Sequence, residues 1–183
     1  TSVQPGDSVV PIWRMSCGLC GYCLSGRPAL CDVGTKMRFT GLMPDGGTRF
    51  RTEKGDPIKH YAGVSTFSQL STMPEGAVVK VNPDFPLQDA ALISCGVITG
   101  YGAVFRSAKV EPGSTVAVFG AGGIGLNIIQ SARLAGAVEI IAVDPFDSKK
   151  KHAERLGATH FINSKENNAV EAVMDLTGGI GVD

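Results

Sequence analysis

From Ser114 to Asp183, apolar runs and amphipathic stretches alternate regularly. The run "STVAVFG" (114–120) is β-branched and shows no polar alternation, the pattern of a parallel strand covered on both faces. Residues 123–134 carry Ile124, Ile128 and Ala132 at four-residue spacing, which predicts a helix laying that face on a sheet. A second buried strand is predicted at "EIIAVD" (139–144). The helix after it keeps Ala153 and Leu156 inward, leaves Lys149, Lys150, Glu154 and Arg155 in water, and ends at Gly157. "HFIN" (160–163) reads as a third strand and "AVEAVMDL" (169–176) as a third helix. This order, βαβαβα, folds through right-handed crossovers into an α/β, doubly wound Rossmann sheet. Residues 1 to about 85 read differently, as short strands and loops punctuated by "MPDGG" and "EKGDP". The economical division is therefore two domains, 1–95 and 96–183, with no internal repeat.

Composition narrows the partners. The apolar fraction is 43%, and 17 basic residues balance 17 acidic ones, so nothing draws the chain to nucleic acid or a membrane surface. Small molecules and like chains are the expected partners. No apolar run reaches the roughly eighteen residues of a membrane span, and "TSVQPGDSVVPIW" is no targeting leader. That opening reads as the middle of a domain, so the chain is expected to be soluble and truncated. The five cysteines are an odd number, and four of them crowd into residues 17–31. Such usage suits a reducing compartment, and a cytoplasmic location is expected.

The turn after the first parallel strand reads Gly120, Ala121, Gly122, Gly123, Ile124, Gly125. Gly120 permits a tight turn, Gly122 lets backbone approach a pyrophosphate, and Gly125 lets the helix lie close to the strand. The helix N-terminus at Gly123 and Ile124 then offers N–H groups and positive dipole to phosphate. Asp144, nineteen residues beyond Gly125, ends the second strand where a carboxylate accepts ribose hydroxyls and repels a 2′-phosphate, favouring NAD over NADP. A glycine turn without ligand and a solvated aspartate are the bland alternatives. Lys149 could reach the ribose edge, although spacing alone makes it an ordinary solvated lysine.

The pattern Cys17-x2-Cys20-x2-Cys23-x7-Cys31 suits tetrahedral coordination by four thiolates. Zinc held this way has no position open to substrate, so the site would be structural. An iron–sulfur cluster is the rival, but ferredoxin spacing continues with x3 and a proline, whereas here the gap is seven and Asp32 follows. Disulfides are the remaining alternative. Cys95, within "AALISCGV", reads on its own as a buried core thiol, and Thr99 as a helix residue.

Taken together, "PGDSVV", "GLMPDGGTRF", "YAGVSTFSQ", "ISCGVITGYGA", "VAVFGAGGIG", "IIAVD" and "GGIGVD" stand in the order of the zinc-dependent medium-chain alcohol dehydrogenases. The resemblance covers essentially the whole chain and is especially similar to the branch that includes class III, glutathione-dependent formaldehyde dehydrogenases. It implies part of a GroES-like β-barrel catalytic domain ahead of part of a Rossmann domain, in dimers or tetramers. It further implies that Cys95 ligates a second, catalytic zinc and that Thr99 contacts the nicotinamide. Gly120, Gly122, Gly125, Asp144 and Lys149 match the NAD-binding positions. The family's other two metal ligands and its proton-relay hydroxyl lie before Thr1, and His60, His152 and His160 match no ligand motif. The chain by itself is therefore expected not to oxidise alcohols.

The reaction implied for the intact enzyme is oxidation of a primary or secondary alcohol by NAD, giving an aldehyde or ketone. The alternative substrate is S-(hydroxymethyl)glutathione. Against it stands Thr35, at a position where glutathione-using members carry arginine, although Arg38 is close by. Outside this chemistry, a non-catalytic zinc-stabilised NAD-binding protein and an iron–sulfur electron carrier stay open.

Overall fold

The computed structural model describes residues 2–183, which divide into two compact units, one ending at Ser94 and one spanning Cys95–Asp183. Among these residues no helix is long and apolar enough to cross a membrane.

The first unit is built from short pieces because its sequence offers no long periodic run. Strand β1 (Val9–Pro11) enters a turn-rich loop that contains the single helical turn α1 (Gly21–Leu24) and leads into helix α2 (Asp32–Thr40). Strands β2 (Phe50–Arg51) and β3 (Pro57–Ile58) form one antiparallel pair, and β4 (Val78–Lys80) pairs antiparallel with β1, setting Val10 opposite Val79. The turn α3 (Leu87–Ala90) follows. Helix α2 is absent from the sequence reading, which saw only strands and loops there. Its only fully buried residues are Gly34 and Met37, with Val33 partly buried against the same core, too sparse to give an apolar stripe. Met37 packs with Met15, Met43, Val64 and Ala77 to form this unit's core.

In the second unit, helix α4 (Ile98–Gly102) runs on into a π-helical stretch, Ala103–Ala108, before strand β5 (Thr115–Phe119). Then come α5 (Gly123–Leu134), β6 (Glu139–Asp144), α6 (Lys150–Leu156), β7 (His160–Asn163) and α7 (Ala169–Leu176). The three strands are parallel in the order β5-β6-β7, with Val118 opposite Ala142 and Ala142 opposite Phe161. Central β6 shows why its sequence lacks polar alternation. Ile140 and Ala142 join Ile129, Ala132 and Ala153 of α5 and α6 in one core, whereas Ile141 and Val143 join Ile162 and Val173 of β7 and α7 in another. Helices thus cover both faces, and burying each isoleucine contributes about 2–3 kcal/mol.

Three expectations need correction. Ile124 is 46% exposed, because Gly125, Ile129 and Ala132 face the sheet and Ile124 lies about 100° around the helix from Gly125. Cys95 is exposed rather than a core thiol: Ile93–Val97 is π-helical, and the nearby side chain turned into the protein is Ala90. Lys149 is half-buried at the end of the 3-10 turn Asp147–Lys149, not fully in water.

Candidate metal and nucleotide sites

Between β1 and α2 the chain reverses several times, and the reversals gather Cys17, Cys20, Cys23 and Cys31 so that their sulfurs all lie within 4.8 Å of one another. Cys17 and Cys23 are 4.0 Å apart, and no pair is bonded as a disulfide. A tetrahedral ion with sulfurs at ~2.3 Å sets them about 3.8 Å apart, so a small contraction closes this cage. A multi-iron cluster would hold its thiolates farther from one another, which favours a single ion.

Backbone donors already point at the sulfurs. Cys17 Sγ accepts from the N–H of Leu19 (3.4 Å) and Cys20 (3.3 Å), and Cys31 Sγ from that of Cys17 (3.3 Å) and Gly34 (3.5 Å). Such donors favour the thiolate that metal binding requires. The Cys20 thiol is held below its ordinary value by the backbone N–H groups of Cys23 and Asp32. For Cys31, burial pushes upward, but the N–H groups of Gly34 and Cys17 outweigh it and the thiol sits low. Cys23 is pushed up to about 11, chiefly by desolvation. Cys31 is 1% exposed and also caps α2 through its sulfur, so the cage is fixed to that helix. The donor set is four soft sulfurs with no open position, which suits a structural ion.

In the second unit, the turn from β5 to α5 is shaped by two glycines. Gly120 has φ +96°, in the left-handed region, and donates its N–H to Val143 O at 2.7 Å. At Gly125 an added Cβ would stand 1.7 Å from Gly120 O, so only glycine lets α5 begin this close to the turn. At Gly122 and Gly123 an added Cβ would meet nothing within 4 Å. The helix therefore starts in open space, and its first-turn N–H groups have no helical partner, an arrangement that can receive a phosphate.

Asp144, opposite Asn163 at the carboxyl ends of β6 and β7, is only 7% exposed. Its carboxylate accepts the N–H of Ala121 at 2.8 Å and of Phe146 at 3.0 Å. The sequence placed Asp144 beside the turn but gave no sign of a direct bond to it. Also missed was Lys165, whose ammonium lies 4.4 Å above the Phe146 ring. In the preceding helical stretch Cys95 and Thr99 are both exposed, one turn apart. Thr35, in the first unit, is half-buried on α2. Arg38 lies 5.8 Å from the Trp13 ring and has no carboxylate partner among the described residues.

Comparison with known proteins gives a consistent picture. Residues 123–183 match the family model described as zinc-binding dehydrogenase. S-(hydroxymethyl)glutathione dehydrogenase of Paracoccus denitrificans is 51% identical over 178 residues, covering 97% of this chain and 48% of that protein. An alcohol dehydrogenase zinc-binding domain protein from Burkholderia ambifaria superposes with TM-score 0.91 at 40% identity, over 100% of this chain and 49% of the other. Benzyl alcohol dehydrogenase from Acinetobacter calcoaceticus gives TM-score 0.83 at 35% identity, over 97% and 48%. The chain thus spans about half the length of the relatives it matches. Residues 123–183 thus form a zinc-binding dehydrogenase domain, and the chain as a whole is similar to zinc-dependent alcohol dehydrogenases.

Proposed function

We propose that this chain carries the structural-metal loop and the nucleotide-binding unit of an NAD-dependent alcohol dehydrogenase. Zinc would be held by Cys17, Cys20, Cys23 and Cys31, and the dinucleotide by the Gly120–Gly125 turn with Asp144 and Lys149 toward the adenosine ribose. The observation that carries the reading is the glycine turn at the start of α5, where a Cβ added at Gly122 or Gly123 would meet nothing within 4 Å and the helix N-terminus is left open to a phosphate. Exposed Cys95 would serve as one ligand of a catalytic zinc, and Thr99 would contact the nicotinamide from one helical turn away. When bound, these groups supply Lewis acidity toward an alcohol oxygen and a hydride acceptor. The chain's own part is to hold them: backbone N–H groups of the turn fix the pyrophosphate, and the cysteine cage fixes α2.

For the substrate, S-(hydroxymethyl)glutathione now ranks ahead of a simple alcohol, because it is named in the relative at 51% identity. This reverses the order reached from sequence. A second reading, a neutral alcohol, is favoured by the neutral Thr35 and by the likeness to benzyl alcohol dehydrogenase. Steady-state kinetics of the intact enzyme with NAD decide between them. A higher kcat/KM for S-(hydroxymethyl)glutathione than for benzyl alcohol supports the first reading, and the opposite order supports the second. Zinc analysis and NADH fluorescence on the chain itself test the binding roles. Purified protein with iron and visible colour, or with no NADH binding, would overturn them.

A further inference from the structure

We infer that Asp144 is a positioning residue that holds the phosphate-binding turn in shape, in addition to any contact with ribose; this rests on the nucleotide-binding reading above. Strand pairing between β5 and β6 ends with the bond from Gly120 N–H to Val143 O. One residue later the Asp144 carboxylate takes over: Oδ2 accepts the N–H of Ala121, a residue with no exposed surface. Oδ1 meanwhile accepts the N–H of Phe146, two residues ahead, which stops the side chain from turning toward solvent.

Among the described residues no lysine, arginine or histidine pairs with Asp144. A carboxylate that is only 7% exposed therefore depends on these two N–H groups, and they depend on it. The consequence reaches the ligand site, because Ala121 stands between Gly120, whose φ is +96°, and Gly122, the residue that caps α5. Releasing the Ala121 N–H would free the one fixed point between them, and the N–H groups aimed at phosphate would lose their common direction. Each carboxylate oxygen has a second lone pair, so bracing the turn and accepting a ribose hydroxyl are compatible.

The two roles separate in a chemical double-mutant cycle. Binding of NADH, and of its analogue with a 2′,3′-dideoxyadenosine half, is measured on the chain and on Asp144→Asn, whose amide can accept only one of the two N–H bonds. If the carboxylate acted solely through ribose hydroxyls, the substitution would have no effect on the dideoxy analogue. The brace predicts that the analogue still weakens, by roughly tenfold, the loss expected for a charge-assisted hydrogen bond. A ratio near one overturns the proposal.

Amide exchange without nucleotide gives a second readout, which stands even if Asp144→Asn does not fold. In the wild type the Ala121 amide should exchange slowly beside fast Gly122 and Gly123, and in a folded Asp144→Asn it should join them. Rapid exchange at Ala121 in the wild type sinks the proposal. Failure of the wild type to bind NADH at all would instead remove the nucleotide reading and leave the exchange result to judge the brace.

Discussion

Gly125 and His60 show how much a single residue can decide in this chain. At Gly125 the missing Cβ is replaced by backbone: the oxygen of Gly120 occupies the space, 1.7 Å from where the carbon would be. Carbonyl oxygen in a turn cannot swing aside as a side chain can. Gly125→Ala should therefore cost about 1–3 kcal/mol of stability, the usual range for overpacking, and weaken NADH binding as α5 is pushed from the turn. Urea titration and NADH fluorescence would measure both, and an unchanged midpoint would refute the close approach. His60 is 4% exposed, lies with its ring 4.8 Å from that of Phe50, and accepts the Arg49 N–H on Nε2 at 2.9 Å. Burial, helped by the Arg49 charge, holds its pKa below the ordinary histidine value. The folded protein then binds fewer protons here than the unfolded chain. Stability from this residue is complete above about pH 6.5, declines as pH falls through that unfolded-state value, and is fully lost below the folded pKa. His60→Gln keeps an acceptor near the Nε2 position without titrating, so its stability should fall less steeply than the wild type's between about pH 7 and 5. Parallel pH profiles would contradict this.

Among the elements, α7 offers the cleanest test of local forces. Asn168 caps it, with Oδ1 accepting the N–H groups of Val170 (3.1 Å) and Glu171 (3.4 Å), while Val173 faces the core of β6 and β7. Asn168→Ala should cost about 1 kcal/mol, seen as a lower denaturation midpoint at unchanged slope, whereas Asn168→Asp should be close to neutral. Elements of this kind were legible in advance: β6, β7 and α7 match the ranges read from the sequence, β6 as an unbroken buried run and α7 through Ala169, Ala172 and Val173, which face the core at helical spacing. The helix face of α5 was only half legible. Ile124, Ile128 and Ala132 obey helical spacing, yet the contact is centred on Gly125, and a residue that packs by having no side chain leaves no hydrophobic mark. Helix α2 was illegible for a related reason, since its N-cap is a cysteine sulfur rather than the hydroxyl or amide that announces a helix start. The cysteine cage was legible from spacing, but the bond from Asp144 to Ala121 joins residues 23 positions apart and follows from topology alone.

At the scale of the molecule, the two units differ in what stabilises them. The second has a central strand with apolar cores on both faces, drawing on β5, β6, β7 and the helices around them. The main cluster of the first is three methionines, a valine and an alanine, joined to short two-stranded pairs. Unbranched methionine fills space without fixing it, and a core this thin gives little stability by itself. Metal in the cysteine cage would supply the difference, because Cys31 caps α2, and Cys17 is two residues from Met15, whose carbonyl oxygen sits where a Cβ on Gly34 would be. An ion at a hundredfold excess over its Kd adds about 2.7 kcal/mol to the state that binds it. Removing zinc with a strong chelator should then raise amide exchange in α2 by about tenfold or more, while Ile140–Val143 in β6 keep their protection. Cys31→Ala should reproduce that pattern without chelator, since it removes the cap and a ligand together. Equal loss in β6, or none in α2, would mean that the cage does not hold the first unit together.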